Sequence, residues 1–412
     1  SQPPKVILPV VRQASSPSTR QVRLIRLKLY DDFNSLKAAT FPIRGIEGKS
    51  ERLSPLCLVG LNGSGKSNLI EALSEIFCHV ELSLLPWESI TSKQRDIPLR
   101  FDLEYQLVAS SKAKPTTVLL EKPGNQPVVF KIICDGSEKV VTDSAQCLAL
   151  LPTRVLGYSS GLNETISIPY FRTAAFYSLE VLRQARREKA HPNTRLPDVP
   201  DPNTFFMDYE CNALILVSNY LIHPRCRLRL FRKNLRIDSL SAFDIRYRST
   251  YQGKKPVELT RELTDYLNAI RSCANSVEQS EDMEVFHFTN PKAAAPKLKS
   301  AFKTAGNFFR ALYKLSLLNP LALSGKKRKF FFREDARAGQ LERPPSISRE
   351  DRIFSLENIR VNLTKPKRPI DYAAISDGEH QFLQIFGSVI LFDEPGCVFL
   401  LDEPETHFNP QW

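Results

Sequence analysis

The sequence predicts an α/β fold in which a mixed sheet with flanking helices is interrupted by a mainly helical insertion. Three observations predict it. An apolar run at residues 56–59 leads through the octet GLNGSGKS, residues 60–67, into Leu69, Ile70, Leu73, Ile76 and Phe77 at helical spacing. A second apolar run, residues 397–401, ends in Asp402 and Glu403, as a buried parallel strand would end when it delivers acids at its carboxyl edge. Between these, residues 168–370 read mostly as helices joined by Pro-rich or charged connectors.

Composition sets the outer limits. The chain has 412 residues, 42% of them hydrophobic and 25% charged, which is ordinary globular usage and excludes wholesale disorder. The longest nearly uncharged runs, residues 211–222 and 382–392, fall short of the roughly 20 residues a spanning helix needs. The apolar stretch near the start is broken by Pro9 and lacks a signal-peptide core, so no membrane and a cytoplasmic location are expected. The 8 cysteines are scattered without a CxxC pair and read as reduced core residues. A net charge of +12 favours encounter with polyanions, which makes nucleic acid a candidate partner.

In chain order, residues 1–20 are rich in Pro and Ser and read as a flexible arm. Val22, Leu24, Leu27 and Leu29 begin a strand, and a second follows a turn around residues 31–34. Further strands are expected at residues 99–108, 117–120, 128–133 and 154–158, completing an N-terminal lobe over residues 21–167. In the insertion, helices are expected at residues 177–189, 209–222, 259–274 and 299–318, with strand around 228–247 and a charged loop over 325–350. A C-terminal segment, residues 371–412, returns to α/β character.

The octet fits G-x-x-x-x-G-K-S, with an expected strand before it and a helix after. Its glycines let successive backbone N–H groups converge, the helix N-terminus adds positive potential, Lys66 can reach β- and γ-phosphates and the Ser67 hydroxyl can ligate Mg²⁺. Paired with it, Asp402 would hold the Mg²⁺ shell and Glu403 would polarise an attacking water; the bland alternative is a solvated acidic turn. Between them, Ser376 and Glu379 have capping-box spacing ahead of Phe382, Leu383, Ile385 and Phe386. An earlier DEP at residues 393–395 reads as the turn entering the last strand.

Taken together the motifs resemble an ABC-type ATPase head, a P-loop fold, with Walker A at residues 60–67, the signature at 376–381 and Walker B at 397–403. The spelling LLDEPETHFNP is similar to the SMC, RecF and OLD-like branch. The segments ISDGEHQFLQIFGSVILFDEPG and RVLGYSSGLNETISIP resemble restriction-system-associated AAA family ATPases, relatives of the ATPase subunit of Septu-type antiphage systems. The resemblance covers the chain to about residue 170 and from about 370, leaving the insertion undiagnosed.

That resemblance implies ATP and Mg²⁺ as cofactors, and a homodimer or higher homo-oligomer with ATP sandwiched between heads. Gly60, Asn62, Gly63, Ser64, Gly65, Lys66, Ser67 and Asn68 would bind nucleotide, with Ser376, Gly378 and Glu379 approaching it from the partner. Ser67 and Asp402 would hold the metal, Lys66 and Glu403 would be catalytic, and His407, Asn409 and Pro410 would form the D-loop. Two departures stand out: Asp377 replaces the first glycine usual after the signature serine, and the switch histidine and last strands are expected beyond Trp412. For the Q-loop, Gln94, Gln106, Gln126 and the turn residues Ser159, Ser160 and Glu164 all stay open. His380 reads as a helix-surface residue, with nucleotide contact as its alternative.

The implied activity is ATP hydrolysis in a head whose engagement regulates a partner effector, a nuclease, in bacterial antiphage defence. The alternatives are an ATP-gated DNA clamp of RecF or SMC type, and a scaffold that binds ATP but barely turns it over. Basic clusters at residues 183–189, 225–236 and 326–333 are candidate DNA or RNA contacts; the last interleaves cations with Phe330, Phe331 and Phe332. For residues 225–236, a strand with one solvated face explains the alternation equally well.

Overall fold

Period-two alternation in the first third of the chain forms a sheet, and α-periodic apolar residues cover its inner face. The computed structural model describes residues 21–43, 56–61, 63–91, 93–95, 99–108, 115–134, 136–160, 164–253, 255–332, 345–365 and 368–407. Strands β1 (Gln21–Leu29) and β2 (Thr40–Pro42) are followed by helix α1 (Lys66–Leu84) and then by β3 (Phe101–Val108), β4 (Thr116–Lys122), β5 (Val129–Cys134) and β6 (Ser137–Val141). These make a six-stranded antiparallel sheet in the order β2-β1-β3-β4-β5-β6. Leu27, Phe101, Leu103, Tyr105, Val118 and Leu120 line one face and pack with Leu73, Ile76 and Phe77 of α1.

The chain then alternates strand and helix: α2 (Ser144–Leu150), β7 (Arg154–Ser159), α3 (Ile168–Ala190), β8 (Thr204–Phe206) and α4 (Tyr209–Ile222). Next come α5 (Arg229–Asn234), β9 (Ile237–Arg248), β10 (Thr250–Tyr251), β11 (Lys255–Pro256), α6 (Arg261–Cys273), β12 (Ser276–Gln279) and β13 (Met283–Phe288). The rest is α7 (Pro291–Phe302), α8 (Ala305–Ser316), α9 (Gly325–Phe332), β14 (Phe354–Leu363), β15 (Pro369–Asp371), α10 (Asp377–Leu391) and β16 (Cys397–Asp402). The protein is thus mixed α/β with several sheets. No helix among the described residues is long and apolar enough to cross a membrane.

A small parallel sheet in the order β16-β7-β8 stands between two hydrophobic cores. Alternation along β16 serves both: Val398 and Leu400 pack with the first sheet and α1, while Cys397, Phe399 and Leu401 pack with the core built from α4, α8 and β9. The in-register pairing of residues 397–402 with 154–159 sets Asp402 opposite Ser159. Helix α1 is fastened to this region from behind, since the buried Glu81 accepts hydrogen bonds from Asn203 N (2.6 Å) and Thr204 Oγ1 (3.0 Å). Arg172 of α3 adds an ion pair to Glu75 of α1 at 2.8 Å.

Several expectations need correction. Residues 56–59 form no strand; Val59 is 90% exposed and Leu56 is exposed too, so this run is not a buried lead-in. Residues 229–234 are helical rather than extended, because Leu228, Phe231 and Leu235 recur at helical spacing on the buried side and leave the arginines outside. The insertion carries a five-stranded antiparallel sheet, β12-β13-β9-β14-β15, where only one stretch of strand was expected. The helix expected at 299–318 is two helices, broken at Lys303 (φ 66°) and restarted by Thr304, whose hydroxyl caps Asn307 N at 3.1 Å. Residues 325–332 are helical, whereas a loop was expected there.

Helix α10 lies against α4 through Gly387: a Cβ there would sit 2.5 Å from Ile215 Cγ2. Gly387→Val should therefore cost about 1–3 kcal/mol of stability through overpacking, read as a lower urea midpoint. A second expectation concerns pH. Burial pushes Glu81 from its usual 4.5 up to about 7, against the two hydrogen bonds it accepts. The folded state then holds this proton more tightly than the unfolded one, so its contribution is complete below about 4.5 and is lost as pH rises through 7. Urea midpoints should fall across that window, and Glu81→Gln should flatten part of the fall.

Candidate nucleotide-binding site

The site begins at the N-terminus of α1, which opens on Lys66 and has no acidic residue in its first turn. Its free N–H groups and dipole therefore present positive potential that no acid in the helix's own first turn offsets. Gly63 and Gly65 adopt φ of 79° and 88°, the left-handed region that favours glycine. At Gly65 space is also short, because a Cβ would lie 2.5 Å from Leu36 Cδ2 in the connection between β1 and β2. Asn68 Nδ2 donates to Ser35 Oγ in the same connection at 2.6 Å. The Lys66 ammonium donates to the carbonyls of Gly60 (2.8 Å) and Leu61 (3.0 Å), so the loop wraps around it. Gly63 and Ser64 are exposed, and Asn62 lies outside the described residues.

The second half arrives on β16. Asp402 is 5% exposed, and its Oδ1 accepts the Ser67 hydroxyl at 2.8 Å although the two residues are 335 positions apart. Its Oδ2 accepts from Ser159 Oγ at 3.4 Å, and its carbonyl accepts from Ser160 N at 3.2 Å. The following turn is held by Thr406, whose hydroxyl donates to Glu403 O (3.0 Å) and meets Ser160 Oγ at 2.9 Å. Glu403 is exposed and sits at φ 48°, a left-handed conformation that costs a non-glycine residue about 1–2 kcal/mol.

A hydroxyl and a carboxylate in contact are a hard-oxygen pair suited to Mg²⁺. Among the described residues no group of three or more His, Cys, Asp or Glu could hold a metal by itself. Such a pair would fit an ion that keeps waters and takes other ligands from phosphate oxygens, and Ser67 and Asp402 are the side chains that would hold it.

Ser376 is the exposed N-cap of α10: Glu379 Oε2 accepts from Ser376 N (2.9 Å) and Ser376 Oγ (2.9 Å), while Ser376 Oγ accepts from Glu379 N (3.3 Å). These bonds stay within one turn. Gly378, expected to approach a partner's nucleotide, is buried; the 3.6-residue period puts it on the inward face with Gln381, Phe382 and Ile385, leaving Ser376 and Asp377 outside. His380 is likewise not a surface residue. It is buried against Tyr372 (4.6 Å between centroids) and Tyr209 (5.4 Å), and burial lowers its pKa. His407 is exposed, with its N–H donating to Gln381 Oε1 at 3.1 Å, while Asn409 and Pro410 lie outside the described residues.

Residues that sequence reasoning left unassigned, Ser159 and Ser160, join the site, and their only signal was a Ser-Ser pair closing a strand. Ser35 was missed entirely. Gln94 bonds within its own loop, to Thr91 N at 3.0 Å, and Gln126 is exposed on a turn.

Of the basic clusters, 183–189 is engaged in ion pairs, Arg183 and Arg187 with Glu88 and Arg186 and Lys189 with Glu258. Arg225, Arg227, Arg229, Lys233 and Arg236 are exposed on α5 and its flanks. Phe330 packs against the buried pair Ala175 and Leu323 instead of standing free for stacking.

Compared with known proteins, the chain matches no family model, no curated protein and no solved structure. One outcome follows from the backbone at the site. Glu403→Gly should raise stability by about 1 kcal/mol by removing left-handed strain, measured by scanning calorimetry; a lowered midpoint would mean that contacts of the Glu403 side chain outweigh the strain.

Proposed function

We propose that the chain is an ATP-binding and ATP-hydrolysing head of the ABC type, acting with Mg²⁺. The observation that carries this reading is the 2.8 Å contact between Ser67 and Asp402, which joins the end of the glycine loop to the acidic end of a parallel strand. On this reading the N–H groups of residues 63–67 receive the β- and γ-phosphates, and Lys66 exchanges its loop carbonyls for phosphate oxygens. Ser67 and Asp402 hold Mg²⁺, which when bound neutralises charge on the phosphates. Glu403, next in chain and exposed, orients the attacking water and takes its proton.

Exposed Ser376 and Asp377 at the N-terminus of α10 are the groups such a head would offer to a second copy across a shared nucleotide. ATP-driven pairing of heads would then regulate a partner effector, a nuclease, in bacterial antiphage defence within the cytoplasm. This larger role rests on the resemblance in LLDEPETHFNP and ISDGEHQFLQIFGSVILFDEPG. A second reading, an ATP-gated DNA clamp, is favoured by one observation, the exposed cations Arg225, Arg227, Arg229, Lys233 and Arg236. ATP-dependent retention on duplex DNA without any effector protein would select it.

The experiment is phosphate release with Mg²⁺-ATP, paired with mass photometry. Lys66→Ala should abolish nucleotide binding. Glu403→Gln should slow turnover by about 10²-fold or more while trapping an ATP-dependent dimer; unchanged turnover in that variant would sink the assigned mechanism.

A further inference from the structure

Away from the Ser67–Asp402 junction, a cleft of about 380 Å³ opens between α3, α4, β14 and the turn that precedes α10. That volume suits a small organic molecule. Its walls are aromatic, with Phe171 and Phe206 tilted against each other at 6.2 Å and Tyr209 and Tyr372 on the α10 side.

Among the described residues the charges that line the cleft are unbalanced, with Asp208, Glu210, Glu357 and Asp371 set against Arg349 and Arg352. Asp208 and Glu210 stand at the first turn of α4, where Asp208 Oδ1 caps Cys211 N at 2.7 Å. The cation beside them is Arg352, 2.5 Å from Glu210 Oε1. Arg349, also in the lining, is engaged with Glu357 at 3.1 Å. Burial and the neighbouring carboxylate push Glu210 up to about 7, and burial raises Asp208 as well. Among the described residues, half-buried Asp208 and Glu210, the latter with 39% of its side chain exposed, stand beside one guanidinium and leave a net negative charge that favours a cationic ligand.

We propose that this cleft binds a small organic amine with an aromatic body, its ammonium at Asp208 and Glu210 and its ring against Phe171, Phe206 and Tyr209. An ammonium gains from both features of the site, the carboxylates and the faces of the aromatic rings. A carboxylate ligand would face like charge, and an uncharged ring would gain only the walls. The proposal does not depend on nucleotide binding, and it has a built-in reporter. Tyr209 and Tyr372 line the cleft and also pack against His380, the first tilted and the second edge-on, so an occupant changes the surroundings of that imidazole.

The test uses three matched indoles at pH 8: tryptamine, 3-ethylindole and indole-3-propionate. Calorimetric titration of the full chain should give tryptamine an affinity at least about tenfold above 3-ethylindole, one well-formed charge-assisted contact, with indole-3-propionate weakest. Tryptamine should also shift the His380 resonance. Glu210→Gln, which keeps the side-chain volume, should bring tryptamine and 3-ethylindole to within about threefold, the remainder reflecting Asp208. Ala373→Trp, at an exposed lining position, should block all three. Equal affinities in the wild-type chain, preference for indole-3-propionate, no binding by any of the three, or a tryptamine preference above about threefold that survives Glu210→Gln would each overturn the proposal.

Discussion

The parallel pairing of β7 with β16 is the constraint on which the rest depends. It joins residues 154–159 to 397–402, and through it the two ends of the chain that carry the glycine loop and the acidic pair become one structure. Without that pairing Asp402 has no route to the start of α1. With it, the carboxylate is buried beside Ser67, and burial of such a group is tolerable only where hydrogen bonds or a cation meet it. Ser67, Ser159 and the backbone of Ser160 supply those bonds around Asp402.

The same small sheet explains how two cores of different construction stay in register. One is an antiparallel sheet with α1 laid across it; the other is assembled from helices and a second antiparallel sheet. Because side chains alternate across a strand, β16 can give Val398 and Leu400 to one core and Phe399 and Leu401 to the other. Helix α10 comes to its place from the opposite direction, through Gly387 against α4 and through His380 held between Tyr209 and Tyr372. The start of α10 is thus coupled mechanically to the insertion, while the turn after β16 reaches it through the bond from His407 to Gln381.

Much of this was legible where local pattern and tertiary environment agree. Strands β1, β3, β4, β5 and β7 follow their alternation, α1 and α4 their helical spacing, and Ser376 with Glu379 forms the capping box its spacing announces. The acidic end of β16 was readable because an apolar run that stops in two acids has few other uses. Misreadings came from positions where two periods compete. In residues 225–236 arginine and leucine alternate over four positions, yet Leu228, Phe231 and Leu235 share one helical face, and burial of that face decides the outcome. The antiparallel sheet of the insertion was hidden because its strands pair across long separations, such as Phe354 with Tyr247, for which no local signal exists. His380 was misjudged for a related reason: part of its burial comes from Tyr209 and Asn212, 171 and 168 positions away in sequence. The apolar letters of residues 56–59 promised a buried strand that the described structure does not contain.

The proposed function requires Ser67 and Asp402 to act as one metal-and-phosphate site. Its most direct test replaces Mg²⁺ with Mn²⁺ and counts bound ions by electron paramagnetic resonance, with and without ATP. One tightly bound Mn²⁺ per chain that requires ATP, and that is lost in both Ser67→Ala and Asp402→Asn while the fold is kept, is the predicted result. Mn²⁺ binding that is indifferent to ATP, or that survives both substitutions, would contradict it.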